Sequence, residues 1–409
     1  RHATWCALDY YLEALRRDPM DVRNNNAVGL WYLRRGRFAL AEPYLRTAVR
    51  VLQKRNLNPY DGEPLYTLAL CLLWQWREQQ GTGRGRNTDS PLLCEAYDWF
   101  YKATWNAAWQ DAAFFACAQI SLLQGRADDA LDEVDHSLAR NKGRALRPAI
   151  LRLLGRTGEA LQTAAEALRL DGFNFGCRLE RVLMRQEEAG DLVALMRGEA
   201  HNYNELLGDC LAARLHDEAD LVLRLARECG AADIMTFYLA GEHAAAAAAG
   251  ITCIFPNSLE ALVALKAAPA GDAKALFLLG NLWYDKRQYD EAMACWEQSA
   301  QLAPTFPTVW RNLALGYYNK RGETERAVEC MEKAFALDTT DARILMELDA
   351  LYKKLGRPHA ERLALLQQHD GLVMQRDDLV LEKITLLKER LQGVDKQKDP
   401  RYIFPGAKS

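Results

Sequence analysis

Leu276-Phe277-Leu278-Leu279-Gly280-Asn281-Leu282-Trp283 is the stretch from which the fold can be read. Its markers Leu276, Leu279, Gly280 and Trp283 return as Trp310, Leu313, Ala314 and Tyr317, each 34 residues on. They return again, after one inserted residue, as Leu345, Leu348, Asp349 and Tyr352. A second set, Ala292, Trp296 and Ser299 with Pro304 behind them, comes back as Ala327, Met331 and Ala334 with Thr339. A fixed period of this size points to a solenoid rather than to two or three globular domains.

The pattern resembles the tetratricopeptide repeat, W-x2-L-G-x2-Y…A-x3-F…P, in which two antiparallel helices make one unit. The resemblance implies an all-α fold, an α–α superhelix of roughly nine to eleven helix pairs, some of them degenerate. Earlier units follow the same grammar. Ala7, Tyr11 and Ala14 recur as Ala41, Leu45 and Ala48, with Val28-Gly29 and Tyr32 on the intervening helix and Gly36 in its turn. Where two helices cross closely only Ala or Gly fits, and a larger neighbour such as Leu45 fills the adjoining groove.

The first array is expected over 1–172, opening with the back half of a repeat and interrupted by a Gly/polar loop at 79–90. That loop is no phosphate-binding loop, because no Gly-Lys-Ser/Thr follows it. Pro148 is expected to start or kink a helix. Residues 173–265 read as degenerate repeats, including a thin helix at the alanine run 244–249; Asn257 or Ser258 caps the next helix. The regular array returns over 266–370. A terminal helix over 371–395, with Val380, Ile384, Leu387 and Leu391 as its apolar stripe, is expected to cap it. Residues 396–409 form a polar tail.

Apolar residues make up 49% of the chain and charged residues 26%, which excludes global disorder. The net charge of −3 gives no general attraction to nucleic acid or to an anionic membrane, and neither is expected as a partner. The basic run Arg140, Lys142, Arg144, Arg147, Arg152 and Arg156 reads as a solvated helix face. Ten cysteines without a C-x2-C pair suit buried thiols in a reducing compartment, and so a cytoplasmic location.

Several phrases resemble a narrower bacterial family. They are Asn58-Pro59-Tyr60-Asp61-Gly62-Glu63-Pro64, the run Ala96 to Trp109, Phe255-Pro256-Asn257-Ser258, Gly280 to Arg287 and Phe306 to Ala314. That family joins a sugar-epimerase-like β-sandwich domain of unknown function to a tetratricopeptide array. The resemblance implies that this chain is the helical half of a longer protein. Any carbohydrate-active chemistry would then lie in a domain upstream of Arg1.

Catalytic chemistry finds no support within the chain. The seven histidines are scattered, with no H-E-x-x-H. Adjacent carboxylates such as Asp128/Asp129 and Asp377/Asp378 point about 100° apart on a helix and cannot flank one bond. His216-Asp217-Glu218 reads as a surface turn. No catalytic residue, metal ligand or cofactor is expected. The expected role is a non-enzymatic scaffold for a protein or peptide, or for the missing domain. Its candidate contacts are Asn281, Asn312 and Arg343, at 31-residue intervals on successive first helices, and the aromatics Trp105 and Trp109. The first three resemble part of the carboxylate clamp of some tetratricopeptide domains. The two further cationic positions of that clamp hold Phe277 and Glu347 here, and Glu347 would repel an acidic tail.

Overall fold

The computed structural model describes residues 6–57, 59–82, 87–251 and 254–393. The expectations for residues 1–5, 83–86 and 396–409 lie outside them. Among the described residues there are helices and no strands, and none of these helices is long and apolar enough to cross a membrane. The chain divides into two compact units, Thr4–Ala270 and Gly271–Ser409.

The N-terminal unit opens with α1 (Ala7–Arg17) and continues in antiparallel pairs. These are α2 (Val22–Leu33) with α3 (Phe38–Arg55), α4 (Glu63–Gln80) with α5 (Pro91–Ala103), and α6 (Gln110–Leu123) with α7 (Ala127–Asp135). Then come α8 (Asn141–Leu153) with α9 (Thr157–Leu170), α10 (Phe175–Leu183) with α11 (Ala189–Met196), and α12 (Ala200–Ala212) with α13 (His216–Glu228). The short α14 (Ile234–Ala240) and α15 (His243–Ala248) form the last pair before the single α16 (Leu259–Lys266). The repeat markers explain the pairing. A Cβ placed on Gly29 of α2 would lie 2.4 Å from Leu45 of α3, so only glycine permits that crossing. Of the alanine run, only Ala246 is buried, which keeps α15 thin. Ser258 caps α16, its hydroxyl accepting the Ala261 amide at 3.0 Å.

Pro148 does not start a helix; it lies inside α8. Proline cannot donate to the carbonyl four residues back, which frees the Arg144 oxygen. The Cys177 thiol of α10 donates to that oxygen at 3.4 Å, so the neighbouring repeat supplies the missing partner. Packing in this unit is also not confined to consecutive repeats. Helix α16 returns to α4 across most of the unit, where Lys266 pairs with Glu78.

The C-terminal unit contains α17 (Ala273–Asp285) with α18 (Tyr289–Leu302), α19 (Pro307–Gly316) with α20 (Thr324–Leu337), and α21 (Ala342–Lys354) with α22 (His359–Gln368). It ends in α23 (Asp370–Val373) and α24 (Asp377–Gln392). A Cβ on Gly280 would meet the Trp296 ring at 2.4 Å, the same device as Gly29 with Leu45. One irregularity has a visible cause. Trp283 to Ala292 spans one residue fewer than its counterpart Tyr317 to Ala327, and the extra residue is absorbed in a π-helical turn at Tyr317–Arg321.

The terminal helix departs from the expected stripe. Its buried side chains are Leu379 and Leu386, whereas Ile384 and Leu391 are exposed. The rotation follows from charge. Arg362 of α22 is buried and donates to both oxygens of Asp349 at 2.9 and 2.7 Å and to Glu382 of α24 at 2.6 Å. Satisfying that guanidinium turns the 379/382/386 face inward.

Candidate partner-binding surfaces

Asn281, Asn312 and Arg343 belong to α17, α19 and α21, the first helices of three consecutive pairs. The structure brings the two asparagines into contact. The Asn312 amide donates to Asn281 Oδ1 at 2.9 Å, and the same oxygen accepts Trp296 Nε1 at 3.1 Å. The Asn281 carbonyl is therefore fully engaged within the chain. Arg343 remains mostly exposed, its Nε 3.2 Å from Glu347. Glu347 also takes a two-pronged contact from Arg311 at 2.6 and 2.5 Å, so the carboxylate that would repel an acidic ligand is flanked by two guanidiniums. Phe277 is buried, edge-on to Phe306 with centroids 4.8 Å apart.

The aromatic group near Trp105 divides between core and surface. Phe100 is buried and meets Tyr66 edge-on at 5.2 Å. Trp109 also packs on Tyr66, their ring centroids 4.8 Å apart. Trp105, in the turn between α5 and α6, is 62% exposed. The same turn bonds back to the segment before α4 through the Asn106 amide and the Tyr60 carbonyl, and Tyr60 is 94% exposed. Trp105 and Tyr60 thus stand on one linked stretch of surface, large apolar groups left in water.

Sequence reasoning missed a third group. Of the basic run, Arg152 is no solvated side chain: it donates to Glu180 at 2.8 Å and also pairs with Glu218. Glu218 does not sit in a surface turn. It lies in the first turn of α13, and both it and Glu180 are 2% exposed. Burial first, and then the charge of Glu218, push the Glu180 carboxyl up to about 8. Nearby, Lys142 pairs with Asp209 at 2.7 Å and lies 3.7 Å from Glu205. Burial opposes the charge on Lys142, yet these carboxylates hold its ammonium above the usual range. The Asp209 carboxyl is raised by burial even against the pull of Lys142. Only one local signal points here: Glu180 follows the buried Cys177 by three residues, placing a carboxylate on an apolar helix face.

Lys142, Glu180, Glu205, Asp209 and Glu218 line a hollow of about 300 Å³ between α6, α8, α10 and α12, walled by Phe115, Leu146, Phe175 and Leu206. A second hollow of about 590 Å³ shares Lys142, Glu205 and Asp209 with it and continues along α12, α14 and α16.

A family model, the tetratricopeptide repeat, matches residues 273–306. Among solved structures the chain is similar to yeast Tom70, at 12% identity over 97% of this chain and 87% of that one, with a TM-score of 0.33. It is also similar to the Cut9–Hcn1 hetero-tetramer of the APC/C, at 15% identity over 93% of each chain and a TM-score of 0.29. A third is the C-terminal part of a TPR repeat-containing protein from Cytophaga hutchinsonii, at 13% identity over 76% of this chain and 98% of that one, with a TM-score of 0.27. The described residues fold as helix pairs, and the tetratricopeptide match covers the pair α17 and α18 with its exit turn.

Proposed function

We propose that this chain is a non-enzymatic scaffold that holds an extended segment of a partner protein on the first helices of its repeats. The observation that supports the reading best is the row Asn281, Asn312 and Arg343. Two of its members are locked in a fixed orientation by a 2.9 Å bond, and the third is a largely exposed cation one repeat further along. With the Asn281 carbonyl engaged, Asn312 retains its own carbonyl for a peptide amide, and Arg343 supplies charge-assisted donors to a carbonyl or carboxylate. A pre-oriented polar row suits an extended backbone, because little side-chain entropy is lost when it binds.

Trp105 and Trp109 are the second contact surface in this reading: the Trp105 ring is exposed, and Trp109 packs on Tyr66. The partner on that surface is either another protein or a domain of the same polypeptide. The described cysteines are free thiols, which suits a reducing compartment such as the cytoplasm.

A peptide array probed with the full chain tests the proposal. Peptides retained by the wild type and lost by Asn312→Ala or Trp105→Ala are expected. Equal retention by both variants, or no retention above an unfolded control, removes it.

A further inference from the structure

Helix α24 buries one face and leaves the opposite one uncovered. Leu379 and Leu386 are each 1% exposed, whereas Leu381, Ile384 and Leu391 are 64%, 41% and 87% exposed. On a helix these three share a stripe about 80° wide with Asp377 and Lys388, both exposed, on the side away from Leu379 and Leu386. The positions 377, 381, 384, 388 and 391 alternate steps of four and three residues, the seam spacing of helices that pack side by side. A lone exposed leucine needs no explanation, but three apolar groups in one line do. Most charges of the helix are held within the chain. Asp378 pairs with Arg376, Glu382 with Arg362 and Lys353, Lys383 with Asp370, and Glu389 with His359. Asp377 and Lys388 have no ion-pair partner among the described residues, and they bracket Leu381 and Ile384 on the stripe. The seam therefore reads acid, Leu, Ile, base, which is complementary to itself when turned end for end.

We propose that this stripe is a self-association surface that takes α24 of a second copy of this chain, antiparallel, about a two-fold axis between Glu382 and Lys383. In that register Asp377 of each copy faces Lys388 of the other, and Leu381 faces Ile384, so one patch serves both sides of the contact. Leu391 falls level with Met374 of the second copy, which is also exposed. A parallel register would set Asp377 on Asp377 and Lys388 on Lys388, so charge selects the antiparallel one. A single helix–helix contact stays below the roughly 1,000 Å² of a standing interface, so the pairing is weak and reversible. Asn281, Asn312, Arg343, Trp105 and Trp109 take no part in it, and either proposal can fail alone.

Sedimentation equilibrium of the full chain over about a hundredfold range of concentration tests it. A reversible monomer–dimer equilibrium is expected. Lys388→Glu sets like charges against each other at both symmetry-related pairs and should weaken the dimer at least about tenfold, and Asp377→Lys should do the same. Mixed in equal amounts, the two variants regain opposite charges at both pairs and should dimerise as the wild type does. Both substituted positions are exposed, and helical circular dichroism confirms that the variants fold. Three results would overturn the proposal: a wild type that stays monomeric throughout, a dimer indifferent to the two substitutions, or a mixture that remains monomeric. A monomer in which an Ile384→Cys thiol resists iodoacetamide has the stripe covered by its own chain, and that outcome overturns it too.

Discussion

Asn312 donates its side-chain amide to Asn281 across the gap between two consecutive repeats, at 2.9 Å. Because the same Asn281 oxygen also receives Trp296, one amide ties together α17, α18 and α19. The two residues should therefore respond unequally to truncation. Asn281→Ala leaves Asn312 and, in part, Trp296 without their acceptor and is expected to cost about 1–2 kcal/mol. Asn312→Ala removes a single donor and should cost less than about 1 kcal/mol. Urea denaturation of the two single variants and the double variant checks this, with a coupling of about 0.5–1 kcal/mol expected.

Arg362 offers a harsher case. It is buried and its charge is met by Asp349 and Glu382. Asp349→Ala removes the two-pronged partner and leaves a guanidinium held by one carboxylate in a dry site. A loss of about 3–5 kcal/mol is expected, read as a lowered denaturation midpoint. Replacing Arg362 and Asp349 together with Met and Leu should recover most of it.

The buried pair Glu180 and Glu218 predicts a pH dependence of defined sign. Burial raises the Glu180 carboxyl from 4.5 to about 8, so the folded chain holds a proton that the unfolded chain releases. This stability is fully present below about pH 4.5 and is lost as the pH climbs through about 8. Its slope is at most about 1.4 kcal/mol per pH unit. Thermal melts from pH 5 to 9 should show a downward component in the wild type that Glu180→Gln lacks. Parallel curves for the two proteins would contradict it.

Thiol reactivity should follow burial. Burial pushes Cys71 and Cys177 up to about 12 and raises Cys117 and Cys210 as well. Cys6, Cys94 and Cys229 are exposed. Iodoacetamide at pH 8, followed by peptide mapping, should modify the three exposed thiols quickly and the four buried ones only after unfolding.

The features legible in the sequence are those that repeat every few turns of helix. Gly280 against Trp296 and Gly29 against Leu45 can be read because each crossing places its small and large members at a fixed offset. The π-helical turn at Tyr317–Arg321 is the structural trace of one extra residue visible in the repeat spacing. The charge relations are not legible. Lys142 with Asp209 and Arg152 with Glu218 join residues 67 and 66 positions apart, on different helix pairs, and no single repeat reveals which other repeat its charges will meet. The same holds for α24. Its apolar spacing favours Ile384 and Leu391, but the buried Arg362 selects the face bearing Glu382. Pro148 misleads because its missing hydrogen bond is repaired from a neighbouring repeat by Cys177. As for candidate residues, the 31-residue spacing of Asn281, Asn312 and Arg343 is visible, while the engagement of the Asn281 carbonyl by Trp296 is not.

Whether the row on α17, α19 and α21 grips a partner is decided by one affinity comparison. A partner segment recovered with the full chain is titrated against the wild type, against the double variant Asn312→Ala/Arg343→Ala, and against Glu329→Ala on the exposed side of α20. The double variant should bind at least tenfold more weakly, a loss of about 1.4 kcal/mol or more, with Glu329→Ala within about twofold of the wild type. Unchanged affinity in a folded double variant would contradict the proposed role of that row.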